Sequence, residues 1–345
     1  MPSFTDAVLV LCAFWAIAGP LLSPRLEEKM EWLVLGLGVA ALTVGWGWSE
    51  TVVLAALGRA AALCGALVAG ALAFSLLHRP LRSLVARAAG RLGQRAAVFG
   101  AVSLSSLAAP IVTAPVAILM LVEILAALPL EAGRRGEAAV LGSLGVGLGS
   151  GLGPLGGPAS AVLIAKLSGA AYPVGRGFLL ELVGPWAVPG LLALAAGAAV
   201  LCGEADPAAK PVPDDPLSLW NLLVLTARLF VFTAGLVLLG AGLLPLIERL
   251  FLGLHPAALF WANAAAAVTE NAALVTLEVS PSMGQDQLRH LFLGVLAAGS
   301  AVLTGDAQNL VAAHKLGISA RAWAKVGLPA AAALMVFFFL SLAAL

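Results

Sequence analysis

Leu303-Thr304-Gly305-Asp306-Ala307-Gln308-Asn309-Leu310-Val311 sets an acid, two amides and a hydroxyl inside an apolar run, and an uncharged version of it stands earlier in the chain. The earlier copy is Leu155-Gly156-Gly157-Pro158-Ala159-Ser160-Ala161-Val162. It runs on to Lys166-Leu167, as the later copy runs on to Lys315-Leu316. A second matched pair lies upstream of these: Ala108-Ala109-Pro110-Ile111-Val112-Thr113-Ala114-Pro115 against Ala264-Ala265-Ala266-Ala267-Val268-Thr269-Glu270-Asn271. Interrupted apolar segments repeated in the same order in two halves point to a transporter site at the repeat interface. The acids Glu270 and Asp306 stand where the first half has Ala114 and Gly157, which suggests a cation-coupled site.

Composition places the chain in a membrane. Hydrophobic residues make up 61% and charged ones 11%, against roughly 25% charged in a soluble domain. Long apolar runs recur from end to end, each of the kind that spans a bilayer with about 20 residues. A formal net charge of +1 leaves no basic face for a nucleic acid. The three cysteines, two of them inside apolar runs, do not make a disulfide framework or a zinc spacing. The start of the chain lacks a basic n-region, so 4–22 reads as a retained span rather than a signal peptide.

The expected fold is an all-α polytopic membrane protein with about ten hydrophobic segments: 4–22, 32–49, 51–77, 96–130, 138–167, 178–201, 217–250, 257–279, 290–313 and 322–344. The Pro-rich, acidic stretch 202–216 reads as a linker between halves. It divides the N-terminal spans (1–95) and the first repeat (96–201) from the second repeat (217–345), whose hairpin would be 257–283 and broken helix 290–313. Arg79, Arg82, Arg87, Arg91 and Arg95 make 78–95 a cytoplasmic loop, and so put the N-terminus outside. Two topologies remain open. Simple crossings would make the repeats parallel, whereas re-entrant hairpins at 96–130 and 257–279 would invert them. Pro110 and Pro115 favour the inverted form, because each removes a helix hydrogen bond near the middle of 96–130.

Two segments carry the chemistry. Leu141–Leu167 holds eight glycines with Pro154 and Pro158, at about 1 kcal/mol per glycine and about 3 per proline in a continuous helix. A discontinuous helix is expected there; close packing through small residues is the bland alternative. Asp306 is expensive at bilayer depth, about 2.5–3.5 kcal/mol, so it needs either a coupling role or a structural partner such as Arg59 or Arg228. Glu270 raises the same question: it either binds H⁺ and a cation in competition or caps a half-helix.

With those residues in view, the chain resembles the ion transporter superfamily, which includes D-type sodium/proton antiporters, arsenite permeases and dicarboxylate transporters. More narrowly it resembles a prokaryotic domain-of-unknown-function family regarded as cation transporters. That match rests on Pro24-Arg25-Leu26-Glu27-Glu28-Lys29-Met30-Glu31, Trp46-Gly47-Trp48, the repeat motifs and Trp323-Ala324-Lys325-Val326-Gly327-Leu328-Pro329. The resemblance implies two inverted repeats and an elevator-type transport domain on a scaffold, often dimeric, so a homodimer is among the partners it allows. It also implies a multi-pass protein of a prokaryotic inner membrane. The site expected from all this comprises Thr113, Ser150, Gly156, Gly157 and Ser160 from the first half. The second half would add Thr269, Glu270, Asn271, Thr304, Gly305, Asp306 and Asn309, with Na⁺ at Glu270, Asn271, Thr304 and Asp306.

The leading expectation is therefore secondary active transport of a monovalent cation, Na⁺/H⁺ exchange in its simplest form, with no bound cofactor. The alternative is Na⁺-coupled symport of a small anion, held by backbone N–H groups of the first half. A channel or an intramembrane protease is a remote reading. The acid lacks a Gly-x-Gly-Asp context and no His-Glu-x-x-His run exists, so enzymatic function is not expected.

Overall fold

The computed structural model describes residues 4–168, 174–175, 177–203, 219–251, 255–265, 274–275, 278–279 and 283–344. Among these, helix is the only extended regular structure, as expected where no water is present to satisfy a backbone. The first helices are α1 (Phe4–Leu22), the short α2 (Pro24–Glu28), α3 (Met30–Val44) and α4 (Glu50–Leu92). There follow α5 (Gln94–Val112), α6 (Ala114–Ala127), α7 (Ala132–Ser150), α8 (Pro158–Leu167) and α9 (Phe178–Leu201). Beyond the linker come α10 (Leu219–Phe251), α11 (Pro256–Ala265), α12 (Gln285–Gly299), α13 (Ala307–Leu316) and α14 (Ala320–Ala343).

Among the described residues, six helices are long and apolar enough to cross a membrane: Phe4–Leu22, Glu50–Gly70, Gln94–Val112, Phe178–Leu201, Leu222–Leu246 and Ala320–Ala343. Of the other four expected segments, 32–49 is short, 138–167 and 290–313 are interrupted, and 257–279 lies partly outside the described residues. The 32–49 segment becomes the 15-residue α3, because Gly45 to Trp48 turn the chain out of the helix. The expected loop 78–95 is instead helical: α4 runs unbroken to Leu92 and α5 starts at Gln94. Its arginines sit among Ala and Leu, all strong helix formers, so leaving the apolar stretch gives the helix no reason to stop.

Two groups of helices pack around the middle. In one, α3 and α10 lie so close that a side chain at Gly38 would meet the Gly235 carbonyl at 2.5 Å. Small residues permit that approach where no hydrophobic force drives helices together in lipid. Arg228 of α10 clamps Glu31 of α3 at 2.8 and 3.2 Å and reaches the Glu28 carbonyl at 2.9 Å. Cys64 Sγ of α4 contacts the Thr226 carbonyl of α10 at 3.3 Å. In the other group α7 is the axis, and every residue from Ala138 to Ser150 is buried. Gly145 and Gly149 receive Ser106 of α5, and Gly142 receives Leu121 of α6. Close packing thus accounts for these three glycines, while the break lies beyond them.

Candidate functional site

Three interruptions meet in the middle of the molecule. The first is the single residue Thr113 between α5 and α6. Pro115 opens α6, where its missing N–H costs nothing. Thr113 has φ 77° and ψ 151°, a region that is essentially glycine-only and costs about 1–3 kcal/mol for other residues.

The second interruption joins α7 to α8 over 151–157 through tight turns, Gly151 N–H to the Leu148 carbonyl and Leu152 N–H to Gly149. Ser150 Oγ donates to Gly147 O at 2.7 Å, and Ser160 Oγ donates to Ser150 O at 2.8 Å, so two serines satisfy carbonyls that the break would orphan. The Ala114 N–H donates to the Gly156 carbonyl at 2.9 Å and ties the first two breaks together.

The third runs from Ser300 to Asp306 between α12 and α13, through a 3-10 turn at Leu303–Gly305. Trp323 Nε1 of α14 donates to Ser300 O at 3.1 Å, and Asn309 Nδ2 donates to Val302 O at 3.1 Å. Asp306 is the N-cap of α13, its Oδ1 accepting from the Gln308 N–H at 3.4 Å.

The breaks enclose one cavity of about 280 Å³. One wall is Ala114 and Pro115, Ser150, Gly157 to Ala159, and Gly305 to Gln308, with Leu296 behind. The facing wall is Arg59, Ala62 and Leu63 of α4 with Thr233, Leu236 and Val237 of α10. Three helices, α6, α8 and α13, begin at this cavity and turn their positive ends toward it. Asp306 is half-buried and so is Arg59. Thr233 and Gln308 are 6% and 4% exposed, and Thr233 Oγ1 and Gln308 Nε2 have no hydrogen-bond partner. Nearby in the breaks, Thr113 Oγ1 and Asn309 Oδ1 are buried and equally unmatched.

The expected site residues divide into two roles. Ser150, Gly157, Gly305 and Asp306 line the cavity. Thr113, Gly156, Ser160, Thr304 and Asn309 do not line it; of these, Gly156, Ser160 and Asn309 bond across the breaks. Thr269, Glu270 and Asn271 lie outside the described residues. The sequence does not single out Thr233; it sets Gln308 among the polar neighbours of Asp306, and it leaves Arg59 as a counter-ion or a structural partner. Arg228 serves Glu31 rather than Asp306. The matching lysines are both partnered: Lys166 Nζ donates to the Val279 carbonyl at 2.9 Å, and Lys315 pairs with buried Glu123 of α6.

The apolar helices make this a multi-pass membrane protein, with a charged and enclosed cavity where its broken helices meet. The chain belongs to the family described as "Protein of unknown function (DUF1646)", whose model matches residues 6–345. No curated protein matches it.

Proposed function

We propose that the protein is a secondary active transporter of a monovalent cation, exchanging Na⁺ for H⁺ by alternating access at this cavity. The observation that carries the reading is Asp306: a carboxylate on the cavity wall, at the mouth of a broken helix, among Thr304, Gly305 and buried amides. Its carboxylate oxygens are hard ligands suited to a cation such as Na⁺. A carboxylate that holds either Na⁺ or a proton, and not both, couples the two fluxes. Glu270, by its matched place in the second half, would contribute a further acid.

The relation between the halves supports alternating access. α13 ends beside the start of α7, where Lys315 meets Glu123 and Gly136 lies 3.6 Å from Ile318 if given a Cβ. α8 ends at Val279, just ahead of α12. These contacts support broken helices that run in opposite directions, as inverted repeats require. α4 and α10 then serve as the scaffold wall past which the broken helices move. The arginine-rich end of α4 favours a cytoplasmic position, and the resemblance favours a prokaryotic inner membrane.

The test is proton flux in proteoliposomes loaded with an internal pH dye and pulsed with Na⁺, Li⁺ or K⁺. Flux that depends on one of these cations and disappears in Asp306→Asn is the expected result. Wild-type-like flux in Asp306→Asn, or silence with every cation in sealed vesicles, would sink the exchange reading.

A further inference from the structure

We infer that the corner where α4 and α9 end and α5 and α7 begin is a binding site for the phosphate headgroups of anionic phospholipids. The inference needs only a chain that spans the membrane, and it holds whatever the central cavity transports.

The charge is concentrated along the chain itself. From Thr51 to Val122 there are six arginines and no acid, and five of the six fall from Arg79 to Arg95. Helix propensity carries α4 through this stretch to Leu92. Arg87 and Arg91 are exposed there, four residues apart on one face. Like charges at that spacing weaken a helix unless an anion lies between them. Gly93, at φ 85°, then turns the chain into α5, whose first turn holds the exposed Arg95.

A second element brings one more arginine to the same place. Arg134, in the first turn of α7, lies across the end of α9, its Nη1 donating to the Cys202 carbonyl at 3.0 Å. Arg95 Nε donates to the next carbonyl, Gly203 O, at 3.4 Å. Gly203 has φ 67°, and a Cβ there would strike Arg134 Nη1, so the crossing depends on glycine. Capping the negative end of α9 accounts for one arginine, but two at neighbouring carbonyls repel each other. Each guanidinium carries five N–H donors in a fork that fits phosphate oxygens. Glu131 stands 3.6 Å from Arg134 and is exposed. Among the described residues no acid meets Arg91 or Arg95.

Depth selects a lipid over a soluble anion. α5 and α7 each run 19 residues from this corner to the breaks at the cavity, about 28 Å. Half the hydrocarbon layer is about 15 Å, so with the breaks near mid-bilayer the arginines stand at headgroup level. Leu92, exposed beside Arg91, offers apolar surface to an acyl chain. Basic pockets between helix ends on the cytoplasmic side hold such headgroups. A lipid held here ties the two helices that lead into the first two breaks to the leaflet.

The experiment is thermal unfolding of the purified protein in detergent micelles doped with dioleoyl phosphatidylglycerol or with dioleoyl phosphatidylcholine. Phosphatidylglycerol should raise the Tm by about 5 °C at roughly a hundredfold excess over its dissociation constant. Phosphatidylcholine should leave it unchanged, and about 0.5 M NaCl should shrink the phosphatidylglycerol shift. Arg87→Gln with Arg91→Gln should remove most of that shift, as should Arg95→Gln, while Arg87→Lys with Arg91→Lys should keep most of it. The Tm in phosphatidylcholine reports each variant's fold, and the salt series on the unaltered protein decides if the glutamine variants do not fold. Arg25→Gln with Lys325→Gln, at exposed basic positions elsewhere, should leave the shift whole. Equal loss in that pair means diffuse attraction to a charged face, and overturns the site. An equal shift from inorganic phosphate at the same concentration overturns the lipid as its ligand. If the arginine variants lose as much Tm without phosphatidylglycerol and still respond to it fully, the arginines serve the chain's own acids and the inference falls.

Discussion

The two broken helices share a plan and differ in the charge that they bring to the cavity. Each has a helix that ends at the breach, a turn, and a ten-residue helix that starts there and carries a lysine in its last turn. The caps have similar extended backbones, φ −169° and ψ 171° at Gly157, and φ −147° and ψ 138° at Asp306. Gly157 offers no capping side chain, and α8 forms without one. The backbone therefore does not demand an acid at Asp306. A neutral asparagine would cap equally well, so the cap alone does not call for the charge.

That difference is most sharply tested by removing the charge and keeping the cap. Asp306→Asn should unfold within about 0.5 kcal/mol of wild type, since Asn and Asp rank together as caps. Cation-coupled proton flux should fall by two orders of magnitude or more. Asp306→Ala should lose the same flux and about 1 kcal/mol of stability besides. If the Asn variant loses stability as the Ala variant does, the acid is a structural partner and the two helices differ only in how they are held.

A second contrast concerns what the glycines do. Gly149 lies against the Ser106 backbone of α5, so Gly149→Ala must push α5 and α7 apart. The expected cost is about 3 kcal/mol, at the upper end for overpacking. Gly58 on α4 has open space around its Cβ position, and Gly58→Ala should stabilise that helix by about 0.5–1 kcal/mol. Thermal unfolding in detergent reads both. Opposite behaviour at the two sites is the prediction, with the larger effect at Gly149, and tolerance there would mean that the α7 glycines serve the breach rather than the packing.

The far ends of the helices differ as well. Lys315 meets a buried carboxylate, whereas Lys166 meets only a backbone carbonyl. Glu123→Gln should cost about 2 kcal/mol, less than the 3–5 of a fully buried pair because Lys315 keeps some access to solvent. Lys166→Met removes a single hydrogen bond and should cost about 1 kcal/mol.

The breaks themselves were legible in the sequence, because glycine and proline act on the backbone wherever they stand. Pro110 and Pro115 bracket the interruption at Thr113, and Pro154 and Pro158 flank the one after Ser150. Thr304-Gly305-Asp306 announced the third, through a cap that is local by nature. The wall formed by α4 and α10 was harder to read. Thr233 sits in an apolar run of α10 with nothing nearby to mark its face, and only packing against α3 and α4 turns it to the cavity. Arg228 was visible as a charge in a span, but its partner Glu31 is 197 residues away. The extension of α4 to Leu92 was missed because charge was read as loop, although Arg, Ala and Leu favour helix wherever they are solvated.

Thr113 separates a break made by composition from one held against composition. Glycines and prolines relieve the second interruption, yet a β-branched residue occupies a glycine-only conformation at the first. Thr113→Gly should release about 1–3 kcal/mol of strain and give back part of it, about 0.5–1 kcal/mol, as lost chain entropy. The net gain of about 1 kcal/mol should raise the unfolding temperature by roughly 2 °C in a chain of this size. Transport is the informative readout. A variant that is more stable but slower in cation-driven flux would show that the strain fixes the angle of α6 against Gly156, and so the shape of the cavity. A variant that is less stable would mean that the Thr113 side chain supplies more than its backbone costs.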